Sequence, residues 1–261
     1  LIVTFNRLEK LKKSIEASIN AGFDSIFVID NCSSDGTKEW LSAQNEMVLN
    51  CFFLDENKGG SGGFNYGLKK TVSVSENEWI FVFDDDAYVD INIISNFKNL
   101  QNEKKSQAYC SKVLDLQGKT CRMNVPFVRY PNGFLHSIRY LLSGDKYFCN
   151  LTSEQDVVSL SFVGAILHRD FISRNISHLK EDLFIYFDDL YFSYTANKNG
   201  ERIIFSPELI IYHDVVTSKG VYPEWKVYYL VRNLILGTNV YKDNSPFGWV
   251  SVLFRVFKYF T

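Results

Sequence analysis

The sequence carries no excess of basic residues: 28 Lys and Arg stand against 30 Asp and Glu, a formal charge of −2. Without a cationic field nothing draws in a polyanionic backbone, so nucleic acid is not an expected partner. Cysteine is sparse and unpatterned. Cys32, Cys51, Cys110, Cys121 and Cys149 contain no C-x-x-C spacing and are odd in number. That pattern argues against a disulfide framework and for a reducing compartment. No uninterrupted apolar run reaches the ~18 residues of a membrane-spanning helix, and no signal peptide opens the chain. A cytoplasmic location is therefore expected. Neither G-x-x-x-x-G-K-[ST] nor G-x-G-x-x-G occurs, which leaves no support for a P-loop or a dinucleotide fingerprint. The chain opens at Leu1, already inside an apolar run, and reads as lacking the first residues of its opening strand.

What the chain does have is apolar and aromatic mass. Of 261 residues, 46% are hydrophobic and 16% aromatic, enough for one large domain, with or without an appendage. The organising stretch is Trp79-Ile-Phe-Val-Phe-Asp84-Asp85-Asp86-Ala87. A short unbroken apolar run suits a strand buried on both faces. It ends in three consecutive carboxylates, which repel one another unless a partner holds them. Hard divalent cations such as Mg2+ and Mn2+ prefer oxygen ligands and keep positions open for phosphates.

Taken in order, the first half alternates strand and helix. Residues 1–5 read as a strand, followed by a helical pattern through Leu8, Leu11, Ile15 and Ile19 that closes near Gly22. Residues 25–30, 47–54 and 79–83 read as further strands, with helices near Trp40 and over 65–74, and a glycine-rich loop over 57–64. This alternation predicts an α/β fold built on a mostly parallel sheet of βαβ units. In such sheets ligands bind beyond the carboxyl ends of the strands. The segment Thr4–Arg7, Asp30, the Asn57–Gly63 loop and Asp84–Asp86 all fall on that rim.

These residues resemble a known family. Val3-Thr4-Phe5-Asn6-Arg7, Asp30-Asn31 with Asp35-Gly36-Thr37, Asn57 followed by Gly59-Gly60-Ser61-Gly62-Gly63-Phe64, and the Asp84–Asp86 triplet are similar to family-two inverting glycosyltransferases. The N-x-G-G-S-G-G-F form is nearest to bacterial galactofuranosyltransferases and their rhamnosyltransferase relatives. The resemblance implies a GT-A nucleotide-sugar fold over residues 1–215, followed by a truncated helical segment over 216–261. It implies nucleotide and donor contacts from Thr4, Asn6, Arg7, Asp30, Asn57, Gly60, Gly62, Gly63, Asp84 and Asp85, with Asp84 and Asp86 as the outer members of a D-x-D motif.

The second half supplies the remaining candidates. Residues 107–113 read as a strand and 117–155 as an irregular insertion around Pro126, Pro131 and Gly133. Phe162 and Gly164 lie in a buried stretch that approaches the acceptor sugar in the family. Asp188-Asp189 follow an aromatic run, where a helix is expected to start and to stop at Gly200. Sugar transfer with inversion needs one carboxylate base, and the resemblance assigns Asp189 to that role, with Asp188 beside it. Strands are expected over 202–205 and 209–212, the second leading into His213. The resemblance makes His213 a metal ligand with Asp86, while His168 and His178 are left as structural. Trp225–Asn233 resembles the family's Y-Y-x-x-R-N helix, which would bring Arg232 to the diphosphate. The apolar tail 247–261, with Arg255 and Lys258, suits an amphipathic helix at the inner face of the plasma membrane or one packed on the domain.

The expected activity is an inverting, Mn2+- or Mg2+-dependent transfer from UDP-galactofuranose, or else dTDP-rhamnose, to a bacterial surface glycan or lipid-linked acceptor. A nucleotidyltransferase shares the sheet and acidic site but usually carries a basic glycine-rich loop near the first strand. A non-catalytic carbohydrate-binding domain is disfavoured by the intact Asp84, Asp86, Asp189 and His213.

Overall fold

A computed structural model of the chain describes residues 1–103, 106–131, 134–215, 223–241 and 245–260. Gly133, the side chain of Lys258 and the start of the expected helical segment at 216 lie outside the described residues. The chain runs β1 (Ile2–Thr4), α1 (Leu8–Ala21), β2 (Ile26–Asp30), α2 (Thr37–Ser42), β3 (Leu49–Phe53), α3 (Gly59–Val74), β4 (Trp79–Asp84) and β5 (Ala87–Val89). It continues α4 (Ile93–Glu103), β6 (Ala108–Asp115), α5 (Phe134–Ser143), β7 (Gln155–Val157), β8 (Ala165–His168), α6 (Arg169–Asn175) and α7 (Asp188–Lys198). The last elements are β9 (Ile203–His213), α8 (Glu224–Val240) and α9 (Trp249–Phe260).

One mixed sheet has the order β3-β2-β1-β4-β8-β6-β9-β5, with β7 on β9. The apolar runs of β1, β2 and β4 are continuous because both faces are covered. Val3, Phe27, Ile29, Ile80 and Val82 meet α3, α6 and α7 on one side, while Ile2, Ile26, Val28, Phe81 and Phe83 meet α1, α2 and α4 on the other. The expected parallel arrangement holds for β3-β2-β1-β4. Beyond β4 it changes, since β8 inserts antiparallel to both β4 and β6. Gly164, at φ +99°, takes part in that insertion: its N–H donates to Val82 O and its carbonyl accepts from Ser111 N, both at 3.0 Å.

Three local expectations are corrected. The strands expected over 202–205 and 209–212 are one strand, β9, in which Pro207, Glu208 and Leu209 bulge between the Ser111–Ser206 and Lys112–Ile210 pairings. A bulge accepts a proline that a regular ladder excludes. The insertion over 117–155 contains α5, whose Leu135, Ile138 and Leu142 repeat with helical spacing after the Pro131 interruption.

The third correction concerns the glycines. Residues 59–64 are the first turns of α3, not a loop. Glycine is a poor helix former, yet here it lets a helix lie unusually close to its neighbours. A Cβ on Gly63 would sit 2.5 Å from Val3 Cγ1, and one on Gly67 would sit 2.8 Å from Leu1 Cδ1. Gly63→Ala is expected to cost about 1–3 kcal/mol through overpacking. Gly60, with nothing within 4 Å of an added Cβ, is expected to accept Ala without loss. Thermal melting of the two variants checks this contrast.

The C-terminal helices close over α7. Leu234 of α8 and Phe247 and Val252 at α9 form a small cluster with Phe187, Leu190 and Tyr194. No helix among the described residues is long and apolar enough to cross a membrane.

Candidate active site

The carboxyl ends of β1, β2 and β4 lie side by side, since Thr4 pairs with Asp30 and Val3 with Asp84. Alternation along β4 and the turn after it then gives the acidic residues different tasks. Asp85 is buried and already occupied: its Oδ2 accepts from Thr4 Oγ1 at 2.8 Å and Phe5 N at 3.3 Å, and its Oδ1 from Arg7 Nη1 at 3.2 Å. Asp85 therefore braces the first turn, with Thr4 and Arg7 as its partners. Asp30 Oδ1 accepts from Ser33 N at 3.1 Å, and Asn6 Oδ1 from Ser34 N at 2.7 Å, which fastens the β1 and β2 turns to each other.

Asp84 and Asp86 converge with His213 instead. Potential ligand atoms of the three lie within 4.8 Å of one another. His213 arrives there because β9 pairs with β5 in a register that sets it opposite Ala87. Its Nδ1 lies 3.2 Å from Asn124 Oδ1, and Asn124 Nδ2 donates to Ser161 Oγ at 3.0 Å. That hydrogen bond turns the amide oxygen toward the ring, so Nδ1 is the donor to it and Nε2 is the nitrogen left to face the carboxylates. Nε2 faces Asp86 Oδ1 at 3.2 Å, and Oδ1 has no hydrogen-bond donor of its own. A ring nitrogen and a carboxylate oxygen side by side in a buried place have the spacing of two ligands of one cation. Arg7 occupies only the other oxygen, Asp86 Oδ2, at 2.6 Å. Burial and the charges of Asp86 and Asp85 push Asp84 well above the usual carboxylate range. Two carboxylates and one imidazole with a set tautomer fit a divalent ion such as Mn2+ or Mg2+.

The second carboxylate group is held by a strained turn. Phe184, Tyr186 and Phe187 all have positive φ, at 65°, 71° and 67°. Such residues cost about 1–3 kcal/mol each unless their surroundings fix them. Asn233 fixes these: from α8 its buried amide nitrogen reaches the carbonyls of Leu183, Ile185 and Tyr186 at 2.9, 2.7 and 3.0 Å. Arg232 donates to the Asp182 and Leu183 carbonyls. From the other side, Ser61 N in α3 donates to Phe184 O at 3.0 Å, and Asn65 Nδ2 to Leu179 O at 2.6 Å. The glycine-rich helix start is thus a seat for this turn. A Cβ on Gly59 would meet Phe184 O at 2.1 Å. Sequence reasoning did not find Asn233, although its place beside Arg232 in the Y-Y-x-x-R-N pattern was a usable signal. Asn233→Ala is expected to destabilise the chain by about 2–3 kcal/mol. Through the loosened turn it should also slow turnover about 10–100-fold. Denaturant melts paired with initial rates test both.

From this turn α7 starts at Asp188 with Asp189 next, and ends at Asn199–Gly200. Burial raises both carboxyls, and the neighbouring charge of Asp189 raises Asp188 further. Asp189 has compensation. Its Oδ1 accepts from Leu190 N at 2.7 Å and its Oδ2 from Phe162 N at 3.3 Å. Amides favour the ionised form, so Asp189 is the more readily ionised of the two, while burial and the Asp189 charge push Asp188 up to about 8. The two acidic groups are joined by hydrogen bonds: Asn124 meets His213 Nδ1 at 3.2 Å and Ser161 Oγ at 3.0 Å, and Ser161 is in turn a hydrogen-bond partner of Asp189.

Other candidates stand differently from their expected places. The Phe162 ring is buried against Phe64 and Phe192 and serves Asp189 through its backbone N–H only. Gly164 sits in the sheet, where an added Cβ would press on Ser111 at 3.0 Å. Gly62 and Gly63 are buried in packing. Asn57 Oδ1 caps Gly59 N at 2.9 Å. Asn57 and Arg232 share an open cleft of about 420 Å³ in which Phe184 stacks on Tyr229 at 5.0 Å.

Comparisons with known proteins bear on this geometry. The family described as "Glycosyl transferase family 2" matches residues 1–150. No curated protein matches the chain. Among solved structures, TarS of S. aureus is similar at 19% identity over 91% of this chain, with a TM-score of 0.57. The chain spans only 39% of that protein's length, and 70% of its 1–349 fragment, solved in complex with UDP-GlcNAc. GalNAc-T7 with UDP, GalNAc and Mn2+ aligns at 14% identity over 93% of this chain and 49% of its own, TM-score 0.62. The mannosyltransferase PcManGT from Pyrobaculum calidifontis, with GDP-Man and Mn2+, aligns at 16% over 93% and 63%, TM-score 0.59. These likenesses establish a GT-A type fold, α/β with a central mixed sheet. With the family match extending over more than half of its residues, including the whole parallel half of the sheet and the Asp84–Asp86 rim, the chain belongs to glycosyl transferase family 2.

Proposed function

We propose that the chain is an inverting, divalent-metal-dependent sugar transferase, with Asp189 as the base that activates the acceptor hydroxyl. The observation that carries this reading is the pairing of two acidic stations on one rim. One is the Asp84, Asp86 and His213 set, and the other is the Asp188–Asp189 pair, joined to it through Asn124 and Ser161. A divalent ion held by Asp86 and His213, with Asp84 beside them, would neutralise the diphosphate of the departing nucleotide. The turn built from Thr4, Arg7 and Asp85 braces the nucleotide end of the site, and Asp30 and Asn6 keep the adjoining turn in place. Asp189, ionised by its two amide donors and partly withdrawn from water, takes the proton from the acceptor hydroxyl. That hydroxyl then attacks the anomeric carbon from the face opposite the leaving group.

For the donor, UDP-galactofuranose is the first reading, supported by the N-x-G-G-S-G-G-F sequence and by the uridine nucleotides in the TarS and GalNAc-T7 structures. The second is dTDP-rhamnose, supported by the same glycine sequence. The acceptor is a bacterial surface glycan or a lipid-linked precursor, met at the cytoplasmic face of the plasma membrane. A donor panel with Mn2+, reading released UDP or dTDP and the anomeric configuration of the product by NMR, tests the proposal. Retention of configuration would overturn the inverting mechanism. Pyrophosphate formation from a nucleoside triphosphate and a sugar phosphate would place the chain among nucleotidyltransferases instead.

A further inference from the structure

Away from the acidic rim, the molecule concentrates apolar and basic surface in one place. Helix α9 packs one side against the domain through Val252, next to Phe247 in the segment that leads into it. Its other side shows Trp249, Val250, Leu253 and Phe254 to solvent, at 57%, 37%, 66% and 43% exposure. These residues follow a helical repeat, so they form one apolar stripe. Arg255 ties α9 to α5, its guanidinium lying over Phe247 at 4.2 Å and Tyr140 at 5.4 Å. On α5, Leu135 and Leu142 are exposed at 68% and 80%. Leu142 stands on the wall of a pocket of about 230 Å³ whose other lining residues include Arg129, His136, Arg139 and Lys146.

The lining of that pocket contains no acidic residue. Nearby Asp145 is turned away to Arg122, at 2.6 Å. Neither of the segments 125–144 and 245–261 contains a single Asp or Glu, although the chain has 30. A face that packs on another protein has no need for uncompensated cations beside bare leucines and a tryptophan. A lipid surface does: the apolar stripe enters the acyl boundary while basic side chains meet headgroup phosphates.

We infer that α5 and α9 form a docking face for an anionic lipid bilayer, in which the Arg129, Arg139 and Lys146 pocket takes headgroup phosphate and the α9 stripe inserts. The rings of Phe247 and Phe187 are 6.1 Å apart, so the docked helix leans directly on the turn that carries Asp188 and Asp189. A lipid-linked acceptor lying in the same bilayer would then be presented to the base-bearing helix. The docking itself does not rest on the transferase reading.

The experiment is co-sedimentation of the full chain with vesicles of phosphatidylcholine alone and of phosphatidylcholine mixed equally with phosphatidylglycerol. Binding is expected to the mixed vesicles only, to weaken with added salt, and to blue-shift tryptophan emission in a way that Trp249→Phe removes. The double variant R139Q/K146Q is expected to bind about 30-fold more weakly, at roughly fivefold per cationic side chain near an anionic surface. Leu253→Asp is expected to abolish insertion. All these side chains are exposed and outside the acidic site, so unchanged melting and unchanged turnover on a water-soluble acceptor are expected in every variant. Equal binding to both vesicle types, no binding by the full chain, or an L253D-sensitive dimer in place of vesicle binding would each overturn the inference.

Discussion

The expected result of Asp189→Asn is a ~10²–10⁴-fold loss of sugar transfer with nucleotide affinity unchanged. Asn is nearly isosteric, and its carbonyl can still accept from Leu190 N or Phe162 N, so the start of α7 should remain intact. What it cannot do is remove a proton. A role in helix capping alone predicts little change in either stability or turnover, because Asn caps as well as Asp. Asp188→Asn supplies the control. It removes a carboxyl that burial and the neighbouring Asp189 charge push up to about 8, one less ready to ionise than Asp189, so its effect on transfer should be milder. The pH profile gives a second readout. Because burial raises Asp189 above the ordinary carboxylate range, the base is lost as pH falls through that raised value. Activity should therefore climb with pH past the point where an exposed aspartate is already ionised, and the climb should be absent from the residual activity of Asp189→Asn. Equal activity of the two Asn variants would sink the assignment. Calorimetry with UDP beside transfer assays measures both sides of the comparison.

His213→Ala and Asp86→Ala are expected to abolish metal-dependent turnover, a loss of several kcal/mol of transition-state stabilisation. They should differ in their side effects. Asp86 is also the partner of Arg7 at 2.6 Å, so its removal leaves Arg7 with Asp85 alone and changes the charge at the rim. His213 touches Asn124 on one nitrogen and Asp86 on the other, and His213→Ala should lose Mn2+ affinity while leaving the Arg7 ion pairs in place. Asn124→Ala tests the tautomer argument: with Nδ1 no longer tied, Mn2+ affinity should fall about 10–100-fold while all three candidate ligands remain. Titration calorimetry with Mn2+ alone reads these differences, and wild-type Mn2+ affinity in His213→Ala would show that the imidazole is not a ligand.

Much of the rim could be read from the chain because its signals are local. An apolar strand that ends in Asp84–Asp86, an aromatic turn before Asp188, and Gly200 one helix later each declare themselves within a dozen residues. His213 needed the resemblance, since the Ala87–His213 pairing joins residues far apart in sequence. The features that escaped are those in which long-range packing overrides local preference. Residues 59–64 look like a loop by helix propensity, yet they are helical, with Gly59 and Gly63 placed where the Phe184 carbonyl and Val3 leave no room for a Cβ. Positive φ at Phe184, Tyr186 and Phe187 contradicts the habits of aromatic residues; the turn is held by Asn233 of α8 on the Leu183, Ile185 and Tyr186 carbonyls and by Ser61 N on that of Phe184. The antiparallel β8 likewise carries no mark in its own sequence that sets its direction.

The bulge in β9 has a consequence for how this protein can change length. The strand is anchored twice, first by pairing of Ile203–Ser206 with the start of β6 and with β7, then by pairing of Ile210–His213 with the end of β6 and with β5. Pro207–Leu209 lie between the anchors and pair with neither. A residue gained or lost there can be absorbed as slack. The same change between Ile210 and His213 shifts the ladder by one step and turns each side chain to the opposite face of the sheet. Tyr212 or Asp214 would then stand where the imidazole belongs, in a chain that still folds and keeps every residue of its acidic rim. Tolerance to insertion along these eleven residues should therefore be lopsided, permissive at the bulge and lethal to the metal site a few residues later.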